Sequence, residues 1–165
     1  MNRNSSDDKS YTVIQNQYLT DNSSSISEYI ANSAFPGISF VNCNFEKINV
    51  AWAVFGSCNF QNCIFNDFYT RKGIFSGCYF ESCKVTNSSM IKVEVHDTQF
   101  KNCEFENVEL TANDIFCCTF KEIRFLKSEL KFLSVNDCCF ENSKIIDSEV
   151  EKVTFKNTHL KTLSF

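Results

Sequence analysis

The sequence has little of what several common functional sites require. Its 165 residues include only four glycines and two histidines, which leaves little material for a glycine-rich phosphate loop or a histidine-based catalytic centre. No run reaches the roughly 18 apolar residues of a membrane helix, and the first residues lack the apolar core of a secretory signal. The formal charge of −4 is mild, so direct nucleic-acid binding is not expected.

Phenylalanine, by contrast, is abundant and regularly spaced. Counting in steps of five from Phe35 to Phe165, 26 of the 27 positions are Phe, Val, Leu, Ile or Met, and only Thr70 departs. Steps of five would wind around a helix and would alternate between the faces of a strand. The period therefore belongs to the path of the backbone, which we predict to turn a right angle every five residues.

A second inward series lies two residues before each of these positions and holds small or apolar side chains. Four sides of five residues make a coil of twenty, and the Phe residues at 40, 60, 80, 100, 120 and 140 follow that period. A fixed period with like residues stacked is typical of a solenoid. The pattern also predicts that Phe100 is buried in the middle of the Phe stack.

The repeated triplet "CNF" stands at Cys43–Phe45 and at Cys58–Phe60. With the five-residue period, this pattern resembles that of pentapeptide-repeat proteins, in which a small residue and then Asp or Asn precede a central Leu or Phe. The resemblance covers residues 35–165, although Cys replaces the commoner Ala. It implies an all-β solenoid, a right-handed quadrilateral β-helix of about seven coils. At about 4.8 Å per coil, the rod would be roughly 32 Å long.

The region before the repeats is expected to be different in structure. We predict a mobile polar tail over 1–10, an N-terminal cap with a short helix over 11–34, and the β-helix over 35–165. Ser25 and Glu28 have the spacing of a capping box, which predicts a helix that starts there and ends near Ser33. Alternatively, the segment 11–34 is a targeting signal, as a secreted bacterial effector would need.

Cysteine is the other unusual component. Eight of the ten cysteines take the second inward position, where a free Cys acts as a small apolar residue; they are Cys43, Cys58, Cys63, Cys78, Cys83, Cys103, Cys118 and Cys138. The four at 58, 63, 78 and 83 could be drawn as a metal site, but their spacings are those of the repeat and not those of zinc sites. We therefore expect no metal, and a reducing, cytoplasmic location. Cys117 and Cys139 lie outside the inward series and are the candidate reactive thiols.

No group of residues combines a nucleophile, a base and an orienting group, so the chain is not expected to be an enzyme and no cofactor is implied. We predict a rigid scaffold that presents a protein-binding face to an unknown partner. Exposed aromatic residues with basic neighbours have the composition of an interface core. The candidate binding residues are Trp52, Arg71, Lys72, Ile91, Lys92 and Phe132.

The resemblance also implies an alternative function. Some pentapeptide-repeat proteins are similar to duplex DNA in size and charge and protect gyrase by occupying its DNA site. The candidate acidic ladder would be Glu109, Glu129 and Glu149. However, residues 35–165 contain 16 acidic and 14 basic residues, whereas a duplex of the same length carries about 19 charges. The sequence therefore favours the scaffold over the DNA mimic.

The C-terminal coil provides one further expectation. Leu160, Leu163 and Phe165 take inward positions in that coil, so an uncovered end would expose apolar side chains and unpaired strand edges. Two copies that stack end to end about a two-fold axis would cover both. We therefore predict a homodimer through this coil.

Overall fold

The protein is described by a computed structural model that covers residues 12–165. The predicted tail at 1–10 therefore lies outside the described residues. The chain winds in coils of twenty residues, and each strand pairs in parallel with the strands one coil before and one coil after it, so that Phe80 lies between Phe60 and Phe100. The predicted fold class is confirmed: the protein is a parallel β-solenoid of about seven coils, with a short helix near its N-terminal end.

The strands are short, and most are three residues long. In chain order they are β1 (Thr12–Gln15), β2 (Tyr18–Leu19), β3 (Ala34–Pro36), β4 (Ile38–Val41), β5 (Asn44–Glu46), β6 (Val54–Gly56), β7 (Asn59–Gln61), β8 (Ile64–Asn66), β9 (Tyr69–Arg71), β10 (Ile74–Ser76), β11 (Tyr79–Glu81), β12 (Lys84–Thr86), β13 (Ser89–Ile91), β14 (Glu94–His96), β15 (Gln99–Lys101), β16 (Glu104–Glu106), β17 (Glu109–Thr111), β18 (Asp114–Phe116), β19 (Thr119–Lys121), β20 (Arg124–Leu126), β21 (Glu129–Lys131), β22 (Ser134–Asn136), β23 (Cys139–Glu141), β24 (Ser143–Ile146), β25 (Glu149–Glu151), β26 (Thr154–Lys156), β27 (His159–Leu160) and β28 (Leu163–Ser164). The helix, α1 (Ser24–Ala31), lies between β2 and β3.

Four parallel sheets form the four sides of the rod. The first side is β1-β4-β7-β11-β15-β19-β23-β27, and the second is β2-β5-β8-β12-β16-β20-β24-β28. The third side is the shortest, β9-β13-β17-β21-β25, and the fourth is β3-β6-β10-β14-β18-β22-β26. Because strands in one sheet stay in register, residues twenty apart form columns along the rod. These columns determine which side chains meet on the surface.

The central residues of the repeat fill the interior. On the first side the rings of Phe40, Phe60 and Phe80 are stacked, with centroids 5.1 and 4.5 Å apart, and offset stacking at such distances is favourable. Phe100 continues the stack 4.9 Å from Phe80. Phe100 lies in the stack as predicted, but it is less buried than expected, because its ring is only half-buried and borders an internal cavity.

Each corner of the coil is made by one residue in the left-handed conformation. From position 37 to position 157 this residue lies two places after the central one, and its φ is between +47 and +64°, as in Asn62 (φ 53°) and Trp52 (φ 64°). The backbone N–H of the corner residue also donates to a carbonyl one coil further on, as Asn62 does to Glu81 at 2.9 Å. Asn and Asp tolerate this conformation better than most residues, which accounts for their frequency at the corners.

The helix closes the N-terminal end of the rod. It takes the place that a third-side strand has in later coils, and Ile26 is buried there in the core. The predicted capping box is wrong, because the helix starts at Ser24 with Ser23 as its N-cap. Ser25 therefore lies inside the helix, where its hydroxyl donates to Gln17 Oε1 at 2.7 Å. No helix among residues 12–165 is long and apolar enough to cross a membrane.

Strands β1 and β2 add to the first and second sides before the predicted start of the repeats. They bury Ile14 and Leu19 beneath the next coil. The backbone therefore follows the solenoid path before residue 35. The predicted boundary between residues 34 and 35 marks where the sequence repeats begin, and it remains a prediction.

Thr70 is the one polar central residue, and its surroundings accommodate it. It is buried, and its hydroxyl donates to the carbonyl oxygen of Val50 at 3.1 Å. A Cβ at Gly73 would lie 2.8 Å from Thr70 Oγ1, which is closer than two such atoms can approach. Gly73 is therefore required by the close approach of this side chain.

Candidate binding surface

The corner between the third and fourth sides carries both exposed aromatic residues of the predicted binding face. We call its column the aromatic–lysine corner; it consists of Trp52, Lys72, Lys92, Ala112, Phe132 and Lys152. Trp52 is 63% exposed and Phe132 is 47% exposed. Lys72 Nζ lies 4.2 Å from the centre of the Trp52 ring, and Lys152 Nζ lies 4.8 Å from the centre of the Phe132 ring. Both are cation–π contacts.

The backbone at Trp52 and Phe132 is unfavourable for large side chains. Their φ angles are +64 and +56°, and the left-handed conformation costs a residue with a Cβ about 1–2 kcal/mol. Burial offsets this little for Trp52 and only in part for Phe132, because the two residues remain 63% and 47% exposed. Folding alone would favour Asn at both corners, so the two aromatic residues are unexplained by stability.

The structure brings most of the predicted binding residues together. Trp52 N–H donates to Arg71 O at 2.8 Å, and Lys72 N–H donates to Ile91 O at 2.9 Å. Arg71 and Ile91 are also direct neighbours in the sheet of the third side. Five of the six residues therefore form one surface, which we call the basic face; it consists of Trp52, Arg71, Lys72, Ile91 and Lys92. Phe132 lies two coils beyond Lys92, about 10 Å along the rod.

The basic face carries positive charge that the described residues leave unneutralised. Within residues 12–165, Arg71, Lys72 and Lys92 form no ion pair. All three side chains are exposed, whereas Ile91 is half-buried. The face therefore combines an exposed indole, an aliphatic side chain and three cations within about 10 Å, two coil spacings.

The predicted acidic ladder is also present, on the same side of the rod but nearer the C-terminal end. Glu109, Glu129 and Glu149 are neighbours in the sheet of the third side. Lys131 Nζ lies 2.9 Å from a carboxylate oxygen of Glu129 and 2.9 Å from one of Glu149. Hydrogen bonds with Glu129 and Glu149 raise the pKa of Lys131, so the lysine stays charged and neutralises part of the ladder.

The inward cysteines form a hydrogen-bonded lining and not a reactive centre. Cys58 Sγ donates to the carbonyl oxygen of Phe35 at 2.9 Å, and Cys78 Sγ donates to that of Phe55 at 3.2 Å. Ser128 and Ser143 make the same contact at this position of later coils. The position thus accepts a small hydrogen-bond donor as well as the aliphatic side chains that it holds in other coils, such as Val93 and Ile123; the interpretation of Cys as a purely apolar residue missed this hydrogen bond.

The pKa shifts of the inward thiols are mixed. Hydrogen bonds with a neighbouring thiol lower the pKa of Cys58, Cys63, Cys103 and Cys138, so for these four burial, and not the pKa, limits reaction. The hydrogen bond with Cys58 and burial raise the pKa of the Cys78 thiol. Hydrogen bonds with Cys103 and Cys63, together with burial, raise the pKa of Cys83. A thiol is nucleophilic only as the thiolate, so neither is reactive near neutral pH. No cluster of His, Cys, Asp or Glu in the described chain has the arrangement of a metal site.

The two outward cysteines differ from each other. Cys117 is exposed, and Cys139 is half-buried. Desolvation and the nearby carboxylates of Asp97 and Asp137 raise the pKa of Cys117. It is therefore accessible but protonated at neutral pH, which makes it slower to react than exposure alone predicts.

The last coil exposes its inward-type side chains. Leu160 is 44% exposed and Phe165 is 76% exposed, whereas Leu163 is half-buried. Each of the strands β25, β26, β27 and β28 has a hydrogen-bonded neighbour on one side only. This end therefore presents apolar side chains beside four free strand edges in the chain described here.

Sequence reasoning missed two of the six members of the aromatic–lysine corner, Ala112 and Lys152. Lys152 covers the ring of Phe132 just as Lys72 covers that of Trp52. The signal was available, since each lysine follows its aromatic residue by twenty positions. The pattern of an aromatic residue and a lysine thus occurs twice along one corner.

No model of a known protein family matches the chain, and no curated protein matches it. Several solved structures of pentapeptide repeat proteins are similar to it. One from the cyanobacterium Cyanothece is 12% identical, with 73% of this chain and 90% of that chain covered and a TM-score of 0.34. HetL from the cyanobacterium Nostoc, described as involved in heterocyst differentiation regulation, is 8% identical, with 93% and 89% covered and a TM-score of 0.27.

QnrB1, a plasmid-mediated fluoroquinolone resistance protein, is 15% identical, with 89% of this chain and 90% of that chain covered and a TM-score of 0.31. TM-scores this low carry no conclusion about function. The five-residue period of the chain and its four-sided coil are what support the pentapeptide-repeat family.

Proposed function

We propose that this pentapeptide-repeat solenoid is a non-enzymatic scaffold that binds a protein partner through the basic face. The observation that carries the proposal is Trp52, a large apolar side chain held in solvent at a backbone position that disfavours it. Residues kept against their conformational preference commonly serve function and not stability. Trp and Arg are also the residues that most often dominate binding energy at protein interfaces.

The chemistry of the face indicates the kind of partner. Arg71, Lys72 and Lys92 provide cations that no carboxylate of the described residues pairs with, and Trp52, in contact with Lys72, provides an apolar surface beside them. Such a face suits a segment that combines carboxylates with an apolar or aromatic side chain. Phe132 with Lys152 would extend contact for a longer partner along the same corner.

The test is affinity capture from an extract of the native cell with three forms of the chain. We expect Trp52→Asn to lose the partner by about 30-fold or more, as for an interface residue worth about 2 kcal/mol. Its free energy of unfolding should stay the same or rise by up to about 1 kcal/mol, because Asn tolerates the corner better. Ser57→Asn, at an exposed corner of another column, is the matched control. If all three forms capture the same proteins equally, the proposal is wrong.

The gyrase-protection alternative is less well supported by the surface. Lys131 bridges Glu129 and Glu149, so the acidic ladder does not present a continuous row of free carboxylates. We expect the purified chain to give no relief of a gyrase inhibitor at stoichiometric concentration. Relief that Glu129→Lys abolishes would replace the scaffold with the DNA mimic.

We also propose that the chain forms a homodimer through the last coil. Leu160 and Phe165 supply exposed apolar area there, and β27 and β28 supply free edges. Light scattering at tens of micromolar should give twice the monomer mass, and Leu160→Lys should give the monomer. Ile64→Lys is the matched control, since Ile64 is also 44% exposed but lies on the flank of the rod. A dimer that Leu160→Lys leaves intact would place the interface elsewhere.

A cytoplasmic location is part of the same proposal. All ten cysteines are free in the structure, and eight of them are buried inside the rod. A thiol-rich interior of this kind suits a reducing compartment. Thiol titration should find ten groups after denaturation and about two before it, in the native state, where burial protects the rest.

A further inference from the structure

An apolar cavity of about 100 Å³ runs inside the C-terminal part of the rod. Its wall is formed by central residues of successive coils, among them Val85, Met90, Val95, Phe100, Ile115 and Val135. Met90, Val95 and Phe100 are only partly buried although they pack against the core from within. Their accessible surface therefore faces the cavity.

The sequence explains where the cavity begins. The coil from 45 to 60 has three central Phe residues and so does the coil from 65 to 80, whereas the coil from 85 to 100 has only Phe100. On the fourth side, Phe55 and Phe75 are stacked with centroids 4.6 Å apart, and the next residue in that column is Val95. Val85 interrupts the second side in the same way, after Phe65. Smaller side chains on an unchanged backbone leave the volume unfilled.

The cavity is chemically suited to a guest without polar groups. The one polar lining residue is Asn113, and its side chain is already satisfied inside the wall. Its Nδ2 donates to Met90 O at 3.0 Å, and its Oδ1 accepts from Val93 N–H at 2.8 Å. Water in a cavity needs two to four polar partners, and apolar cavities of this size stay dry and take up apolar molecules.

The shape restricts the guest further. The lining runs from Phe65 to Phe165, which is five coils or about 24 Å along the axis. A guest of water or methylene size needs about 10–15 Å³ of such space, so 100 Å³ holds about seven to ten of them. Spread over that length, the space is too narrow for a ring, and the volume, not the lined length, limits how many carbons an unbranched chain can place inside.

The last coil provides the entrance. Val150, Phe155 and Phe165 line the end of the cavity and are themselves exposed in the chain described here. We infer that the rod binds an unbranched alkyl chain of about seven carbons in this cavity, with any polar headgroup left outside at the last coil. This ligand site is separate from the basic face.

Calorimetric titration with straight-chain primary alcohols tests the inference. The affinity should rise about fourfold for each added methylene, as for burial in an apolar site, and should level off once the chain is about seven to ten carbons long. Cyclohexanol should bind at least tenfold more weakly than 1-hexanol, which has the same number of carbons. Octanoate beside 1-octanol shows which headgroup is accepted, and binding of either supports the site.

Two substitutions separate the cavity from the exposed end. Val95→Phe would restore the missing ring and should abolish binding, whereas Val54→Phe makes the same change at an outward position one residue from Phe55 and should not alter it. If Val95→Phe does not fold, Val135→Phe on the same side fills the cavity closer to its entrance. Absence of alcohol binding to the wild type, or binding that the cavity-filled variant retains, overturns the inference.

Discussion

The N-terminal coils and the C-terminal coils of the rod have the same backbone but different interiors. From Phe45 to Phe80 each coil contains three central Phe residues, and large side chains in the N-terminal coils, such as Phe40 and Phe60, are completely buried. From Val85 onward each coil contains one or two, and a cavity follows the axis. The ladders of hydrogen bonds between coils continue unchanged through both regions. The backbone ladder thus sets the coil, and the side chains determine how well it is filled.

The surfaces of the two regions differ as well. Near the N-terminal end, coils are joined by amide contacts, to another amide as in Asn62 Nδ2 to Asn42 Oδ1 at 3.2 Å or to a carboxylate as in Asn66 Nδ2 to Glu46 Oε1 at 3.0 Å. Every ion pair in the described part of the chain involves residues from Glu81 onward, for example Lys84 with Glu104 at 3.1 Å. Exposed pairs of this kind contribute about 0–1 kcal/mol each and weaken in salt. The C-terminal region should therefore respond to salt and pH more than the N-terminal region.

The largest expected difference concerns ring deletion. Phe60→Ala should lower the free energy of unfolding by about 3–5 kcal/mol, because the Phe60 ring is completely buried between Phe40 and Phe80. Phe100→Ala should lower the free energy of unfolding by a smaller amount, at least about 1 kcal/mol less than Phe60→Ala. The reason is that part of the Phe100 ring borders the cavity and makes no contact there. Urea denaturation of both variants measures the difference. An equal or larger loss for Phe100→Ala would contradict it.

The next prediction is that the same substitution, Val to Phe, changes the free energy of unfolding in opposite directions in the two regions. Val95→Phe should raise the free energy of unfolding by about 0.5–2 kcal/mol, as cavity-filling substitutions commonly do. Val50→Phe makes the same change at a buried central position of the filled region. It should lower the free energy of unfolding by about 1–3 kcal/mol, because added volume in a packed core forces distortion. Two changes of the same sign would show that the regions do not differ in packing.

Much of this fold could be predicted from the sequence because the repeat period reflects the path of the backbone. The period of five gave the sides and that of twenty gave the columns, so the stacking of Glu109, Glu129 and Glu149 followed directly. The bounds of α1 did not, since Ser23 and Ser25 are equally good caps by type. The extended backbone at Ser23 (ψ 123°), which makes it the N-cap, is not specified by residue type.

The binding surface was predicted only in outline. The twenty-residue columns placed Trp52 beside Lys72, but the cation–π contact depends on side-chain rotamers. Lys131 bridging two carboxylates depends on them in the same way. The left-handed corners, which make Trp52 costly, need backbone angles that a repeat period does not specify.

The smallest expected difference concerns the ionic contact nearest the boundary between the two regions. Glu81 accepts a hydrogen bond from Lys101 Nζ at 2.7 Å on its C-terminal side and a longer one from Gln61 Nε2 at 3.5 Å on its N-terminal side. The bond from Lys101 lowers the pKa of the Glu81 carboxyl. A carboxyl whose pKa is lowered in the folded state stabilises the fold at pH values above its ordinary pKa, which is about 4.3 for Glu. That contribution is lost as the pH falls through the lowered pKa.

Two matched substitutions compare the contacts on either side of Glu81. Lys101→Met should move the pKa of Glu81 back toward its ordinary value, because it removes the main cause of the shift. Gln61→Met should move it less, because a neutral amide at 3.5 Å stabilises the carboxylate weakly. Nuclear magnetic resonance titration of the Glu81 side chain below pH 7 measures both. Equal shifts in the two variants would mean that the amide contacts of the N-terminal coils and the ionic contacts of the C-terminal coils are equivalent at this boundary.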